Sequence, residues 1–359
     1  MATIVMENDP ALRIIRVLVD PDSPPEHRAA FAEYIAHDVP DFESWADETL
    51  LNAPGLYPCR VIMVDSVGEL HQALPGADGL IKEDLAFGAA ELACAPRLRL
   101  VQHYGGRAYN VDTEACLARG IAVLTQRRRT NIAVAEHALT MLMALSKRLT
   151  EIDGMVTMAR LRSSGFCPGA FSTGYTANAN WSRIPGLRTL SGQTLGVIGL
   201  GEIGSELARM ATGIGMRVVY HQRNRASVAV ERASGAAYTR LDDLLKISDS
   251  VSMHVPKHVV NLIDARAFSL MKPGAFLVNT ARAPSVDRTA MLAALNSGRI
   301  GGVALDVLYD EPMHDNDELL KLSNVLLTPH LAGGSRLNGL TDVREMIVRI
   351  SNELRTDRN

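Results

Sequence analysis

Leu195-Gly-Val-Ile-Gly-Leu-Gly-Glu-Ile-Gly204 decides the reading of this chain. Leu195 to Ile198 is a short apolar run that reads as a buried strand. Gly199, Gly201 and Gly204 then open a helical pattern continuing through Leu207, Ala208 and Met210. Strand, glycines and helix in that order make a dinucleotide-binding fingerprint. Gly199 permits the tight turn, Gly201 lets backbone approach a pyrophosphate, and Gly204 lets the helix pack on the strand. Glu202 and Ile203 fall in the helix's first turn, where the N-terminal amides face phosphate charge. The fingerprint is central, so more than half of the chain precedes it.

Downstream of it the strand–helix alternation continues. Candidate strands are Leu195–Ile198, Arg217–Tyr220, Ser250–His254, Ala275–Asn279, Gly302–Leu305 and Val325–Leu327. These are about the six strands that a doubly wound nucleotide domain requires. Upstream, Ile14–Val19 reads as a first strand, followed by Arg60–Val64, Gly79–Ile81, Leu98–His103 and Ile121–Leu124. Helical patterns lie between several of these, notably Thr113–Arg119, which stops at Gly120 as a helix end should. The chain is therefore α/β with two open parallel-sheet domains. Thr130–Leu149 is the strongest amphipathic helix, with Thr130 or Asn131 available as its cap. The Gly/Ser/Thr/Ala-rich tract Ser163–Asn180 is the least structured-looking segment.

Bulk properties narrow the function. With 359 residues, 47% hydrophobic, 21% charged and 5% aromatic, the chain has the composition of a soluble α/β protein large enough for two cores. A net charge of -3 gives no support for a nucleic-acid or anionic-membrane partner. No apolar run approaches membrane-spanning length, and Glu7 and Asp9 argue against a signal peptide, so a cytoplasmic enzyme is expected. Cys59, Cys94, Cys116 and Cys167 lack ligand spacing, so no metal site is expected.

The residue after the second strand speaks to the cofactor. NAD-binding folds carry an Asp or Glu about twenty residues past the glycines, which accepts from ribose hydroxyls. Here the position falls at about Gln222, and no acid lies between Glu206 and Glu231. Gln222 with Arg223 and Arg225 suits a 2′-phosphate, so NADP(H) is preferred and NAD(H) is possible.

Three further segments end predicted strands, where open α/β sheets place their sites. They are Phe276–Arg282, Val303–Asp306 with Asp310-Glu-Pro312, and Leu327–His330. Reduction of a carbonyl beside nicotinamide needs a cation to orient the substrate and a proton donor. Arg282 fits the first role and His330 the second, and Glu311 would favour the charged imidazolium.

With these residues in place, the chain resembles the D-isomer-specific 2-hydroxyacid dehydrogenases, which include glyoxylate/hydroxypyruvate reductases. The resemblance runs through Asn110-Val-Asp112, Val134-Ala-Glu-His137, Leu200-Gly-Glu-Ile-Gly204 and Met271-Lys-Pro-Gly-Ala275. It continues through Val278-Asn-Thr-Ala-Arg282, Ala304-Leu-Asp306 and Thr328-Pro-His330. It implies that Arg282 binds the substrate carboxylate and carbonyl, and that His330 is the acid/base paired with Glu311. It places Thr280 and Asp306 near the nicotinamide carboxamide, and the segment at Pro256 beside the cofactor. It further implies a flavodoxin-like substrate domain of residues 1–126 plus 326–359, closing over a Rossmann domain of residues 127–325. The Thr130–Leu149 helix would help build a homodimer.

The departures from the family bear on the substrate. The loop whose amides would hold a carboxylate is Gly105-Gly106-Arg107-Ala-Tyr-Asn-Val-Asp112, with Arg107 where the family has its second glycine. Arg127-Arg-Arg129 is either solvated charge or a site for a second anionic group. Ala283-Pro284 follows the catalytic Arg in place of glycine and stiffens the turn. The loop after His254-Val-Pro256 looks shorter than usual, and Ser163–Asn180 longer. The expected activity is reduction of a 2-oxo acid to a D-2-hydroxy acid. A corepressor-like cofactor sensor and a formate- or phosphite-type dehydrogenase are the alternatives, with Glu311 against the formate type.

Overall fold

The computed structural model describes residues 1–355. The chain divides into two compact units, Met1–Asn131 with the chain from Gly333 onward, and Ile132–Ala332.

The first unit is built on five parallel strands: β1 (Ala2–Glu7), β2 (Cys59–Val64), β3 (Gly79–Lys82), β4 (Leu100–His103) and β5 (Ala122–Leu124). Their order, β2-β1-β3-β4-β5, is that of flavodoxin-like sheets. Side chains alternate between the faces, as the two-residue period of a strand demands. Ile4 and Met6 enter one apolar cluster and Val5 the other. The C-terminal helix Arg336–Arg355 delivers Leu340, Val343, Met346, Ile347 and Ile350 to the cluster around Ile4.

Ile14–Val19 is not the first strand. It lies in the helix Arg13–Val19, and β1 is the segment before it. A six-residue run with five apolar residues has no period long enough to separate a buried strand from a buried helix. The local turn decides it: the Asp9 carboxylate accepts from Ala11 N–H at 2.8 Å, and the Asp9 carbonyl accepts from Leu12 at 3.0 Å. The helix then buries Ile14, Ile15, Leu18 and Val19 together.

The second unit carries seven parallel strands: β6 (Thr194–Ile198), β7 (Arg217–His221), β8 (Ala236–Tyr238), β9 (Ser250–Met253), β10 (Ala275–Asn279), β11 (Ile300–Leu305) and β12 (Val325–Leu327). Their order is β12-β11-β10-β9-β6-β7-β8, so the winding reverses between β6 and β9, the doubly wound pattern. β8 adds to the six expected strands. Its three residues are too few to show a period in the sequence. Alternate residues of β10 again feed opposite clusters, Phe276 and Val278 into one, Ala275 and Leu277 into the other.

The expected long helix spans Arg129–Lys147 and continues as a short turn, Leu149–Ile152. Thr130 and Asn131 lie inside its first turn and do not cap it. Arg129 N–H instead donates to the Asp342 carboxylate at 2.8 Å, an acceptor supplied more than two hundred residues later. Between the Met158–Ser163 helix and Thr194 the chain forms neither helix nor strand. It is pinned where Gly169 N–H donates to the Trp181 carbonyl at 2.9 Å.

Candidate active site

The register of the second sheet assembles the site. Ile198 pairs with His221 and with Met253, Met253 with Asn279, Asn279 with Leu305, and Leu305 with Leu327. Because all strands run parallel, the next residue of each leaves the sheet at the same edge. Those residues are Gly199, Gln222, His254, Thr280, Asp306 and Thr328. One edge thus gathers the fingerprint, the selectivity position and all three downstream segments.

The three glycines differ in the space around them. A Cβ on Gly204 would lie 2.0 Å from the Gly199 carbonyl oxygen, and one on Gly199 would lie 2.2 Å from the His254 carbonyl. A Cβ on Gly201 would meet nothing within 4 Å. Gly199 and Gly204 are therefore glycines for packing, whereas Gly201 borders open space at the start of the Glu202–Gly213 helix. Gly201 is that helix's N-cap and provides no side-chain acceptor for its amides. Such an end suits a phosphate. Glu202 and Ile203 are half-buried in its first turn.

Gln222 is engaged within the chain. Its Oε1 accepts from Leu200 N–H at 3.0 Å and its Nε2 donates to the Asn224 carbonyl at 2.7 Å. Arg225 grips Glu231 through two hydrogen bonds of 2.8 and 3.0 Å, and Glu231 also accepts from the Tyr220 hydroxyl at 2.8 Å. Arg223 is exposed, with no side-chain partner among the described residues. Pro256 is exposed beyond β9. Desolvation pushes the pKa of His254 down to about 4, and its Nε2 lies 2.9 Å from Ser252 Oγ.

The Thr280 hydroxyl is buried and makes no hydrogen bond. A buried hydroxyl costs free energy unless paired. Arg282, two residues on, is exposed, and its Nη1 donates to the Ala281 carbonyl at 2.6 Å. Fully buried Asn279 shapes this turn, accepting from Ala281 N–H at 3.0 Å and donating to the Arg282 carbonyl at 3.0 Å. Ser285 Oγ donates to the same carbonyl at 2.7 Å. Asn279 was visible in the sequence only as a residue of the motif, since nothing local marks an Asn as a turn former inside a strand end.

His330 Nδ1 and Glu311 Oε2 are 2.8 Å apart. The other carboxylate oxygen accepts from Leu308 N–H at 2.9 Å, which fixes the acid's orientation. The hydrogen bond with His330 holds the Glu311 carboxyl below the usual carboxylate range, and the Arg282 guanidinium acts in the same direction. With Nδ1 committed to Glu311, Nε2 is the ring nitrogen left for other chemistry. The His330 side chain is 49% exposed.

Asp306 is buried, and its carboxylate is engaged on three sides. It accepts from Thr328 Oγ1 at 2.6 Å, Leu331 N–H at 2.9 Å and Ala332 N–H at 2.8 Å. These bonds flank His330, which sits at φ +52°, a left-handed conformation costly for a side-chain-bearing residue. His137, from the long helix, joins the same network, with Nε2 3.1 Å from Thr328 Oγ1. Asp306 and His137 thus build the turn that presents His330.

Gly105, Gly106 and Arg107 belong to the first unit and follow β4. The Gly105 carbonyl accepts from Gln126 N–H at 2.7 Å, Gly106 is exposed, and Arg107 Nη1 donates to the Tyr109 hydroxyl at 3.0 Å. Of the three neighbouring arginines, Arg129 is bound to Asp342 and Glu345, and Arg128 to Glu83 at 2.8 Å while stacking on Tyr104. Arg128 and Arg129 therefore serve the first unit's own packing.

The chain is similar to nicotinamide-dependent dehydrogenases of D-2-hydroxy acids. The chain belongs to the D-isomer-specific 2-hydroxyacid dehydrogenase family: that family's NAD-binding domain matches residues 139–332. The chain is 35% identical over 282 residues to a glyoxylate reductase of Thermococcus litoralis, covering 77% of this chain and 78% of that one. It is 37% identical over 259 residues to a glyoxylate reductase of Pyrococcus furiosus, covering 71% and 72%. A crystal structure of D-lactate dehydrogenase from Aquifex aeolicus, complexed with NAD and lactic acid, superposes with a TM-score of 0.51 at 26% identity, covering 97% and 94%. Among the described residues, no helix is long and apolar enough to cross a membrane.

Proposed function

We propose that this enzyme reduces a small 2-oxo acid, with glyoxylate and hydroxypyruvate as the first candidates, to the corresponding D-2-hydroxy acid, and that NADP(H) is the preferred cofactor. The observation that carries the reading is the His330–Glu311 pair beside Arg282. The glyoxylate reductases named above support the substrate class.

Gly199, Gly201, Glu202, Ile203 and Gly204 would hold the pyrophosphate, and Thr280 the carboxamide of the nicotinamide. When bound, the nicotinamide supplies a hydride. Arg282 orients the substrate carboxylate and polarises its carbonyl, a fixed cation where negative charge develops. His330 Nε2 holds the proton destined for the carbonyl oxygen. Glu311 keeps the ring oriented through its hydrogen bond to Nδ1. The Gly105–Arg107 loop would receive the substrate carboxylate on its backbone amides.

Preference for NADP(H) is supported by the lack of a free carboxylate at the end of β7. Gln222 stands there, and the next acid along the sequence, Glu231, is already paired with Arg225. Arg223 is the residue proposed for the 2′-phosphate. The reading extends to a homodimer formed around the Arg129–Lys147 helix, testable by sedimentation. A panel of 2-oxo acids of increasing size and charge, followed by NADPH absorbance, tests the activity. A protein that binds NADPH yet reduces none of them would leave a cofactor sensor as the better reading.

A further inference from the structure

We propose that Lys82 is a positioning residue for substrate binding, holding the Gly105–Asn110 loop in the shape that receives a carboxylate; this deepens the functional reading above and rests on it.

Lys82 ends β3 and is fully buried, which is rare for a lysine unless its ammonium is paired. Its Nζ donates to the Tyr109 carbonyl at 2.9 Å. The sheet register explains the reach. Lys82 lies opposite His103, the last residue of β4, and the loop begins two residues beyond. On the other side Met6 pairs with Ile81, so Glu7 is level with Lys82. The Glu7 carboxylate accepts from the amides of Glu83, Asp84 and Leu85 at 2.7, 2.9 and 3.1 Å, anchoring the chain that leaves Lys82. Burial pushes the ammonium's pKa down, while Glu7, Asp84 and Glu83 oppose that shift.

The loop needs a hold from outside. Gln126 N–H fixes the Gly105 carbonyl at one end, and Phe87 N–H fixes the Asn110 carbonyl at the other, both at 2.7 Å. Between them stand Gly106, Arg107, Ala108 and Tyr109, and Asn110 is left-handed at φ +54°. Lys82 grips the carbonyl immediately before that strained residue. A charge-assisted bond is worth more than a neutral one, so its loss leaves both a carbonyl without its donor and a looser loop. The sequence alone shows only a lysine ending a strand, and the pairing depends on β3 and β4 being neighbours.

The test uses the full chain with Lys82→Met, which keeps the volume and removes the donor. We expect KM for glyoxylate to rise about tenfold or more while kcat falls less than about threefold and the NADPH dissociation constant stays put. Hydrogen exchange at the Arg107–Asn110 amides of the cofactor-free protein should quicken by about tenfold. Either KM or exchange remaining at the wild-type value overturns the proposal, as does a parallel loss in kcat, KM and cofactor affinity. Should Lys82→Met fail to fold by circular dichroism, Lys82→Gln is judged by the same outcomes. A wild-type protein that reduces no 2-oxo acid defeats the functional reading, whereas the exchange data still decide whether Lys82 holds the loop.

Discussion

His330 Nδ1 lies 2.8 Å from Glu311 Oε2, and the bond joins a side chain on the turn after β12 to one on the loop after β11. Glu311 is depressed in pKa by this contact, so its charge is complete above the ordinary carboxylate range. The pairing is lost only as pH falls through the lowered value. Ionised Glu311 is therefore expected to keep its hydrogen bond to His330 as pH falls through the ordinary carboxylate range. Glu311→Gln should lower kcat by about 10- to 100-fold and abolish the part of the acid limb that reflects Glu311. A pH–rate profile of the two proteins checks this, and identical profiles would contradict the pairing's role.

The two kinds of glycine make separable predictions. Gly201→Ala adds a methyl where nothing lies within 4 Å, so the cofactor-free fold and its Tm should be unchanged within about 2 °C. NADPH affinity should nevertheless fall, because that space is assigned to the pyrophosphate. Gly204→Ala drives a methyl to 2.0 Å from the Gly199 carbonyl and should destabilise the protein before any cofactor is added. Thermal melts with and without NADPH distinguish the two cases.

Cofactor choice turns on the end of β7. Arg223→Ala should reduce the kcat/KM ratio of NADPH to NADH by about tenfold or more, whereas Arg225→Ala should do less, because Glu231 already engages that guanidinium. Equal effects of the two substitutions would remove Arg223 from its assigned role.

Asp306→Asn should slow turnover more than it weakens NADPH binding. An amide can satisfy only part of what the carboxylate accepts from Thr328, Leu331 and Ala332, and the left-handed His330 depends on all three. A fall in kcat of about tenfold or more, with cofactor affinity retained, is the expected signature. Loss of NADPH affinity alone would return Asp306 to the cofactor contact that the family resemblance implies.

Asp342→Ala tests the stability side. This buried acid accepts from both the backbone and the guanidinium of Arg129, so its removal leaves the backbone N–H without that acceptor while the guanidinium keeps Glu345. The half-buried position of Arg129 moderates the cost to about 2–3 kcal/mol. Urea unfolding measures it.

What the sequence disclosed follows the range of the interactions involved. The glycine fingerprint and the ends of β10, β11 and β12 were legible because each is a local pattern of strand followed by turn. Their convergence on one edge needed only a parallel sheet. Ile14–Val19 reads as a strand because five apolar residues in six carry no usable period, and the Asp9 turn that makes them helical is a local hydrogen-bond choice. Thr130 and Asn131 looked like caps because the true acceptor, Asp342, is distant in sequence. The same distance hid the engagement of Arg129, of Asp306 with its turn, and of Lys82 with Tyr109. Arg225 was readable as a free cation only until Glu231 was seen beside it.

The central claim is that His330 delivers the proton in reduction of a 2-oxo acid. Its most direct measurement compares NADPH oxidation with glyoxylate for the wild-type protein and His330→Gln, alongside NADPH binding by fluorescence titration. Turnover by the wild type, a loss of about 10³-fold or more in the variant, and a dissociation constant unchanged within about threefold are the predicted results. Turnover retained in His330→Gln, or lost only because NADPH no longer binds, would contradict the account.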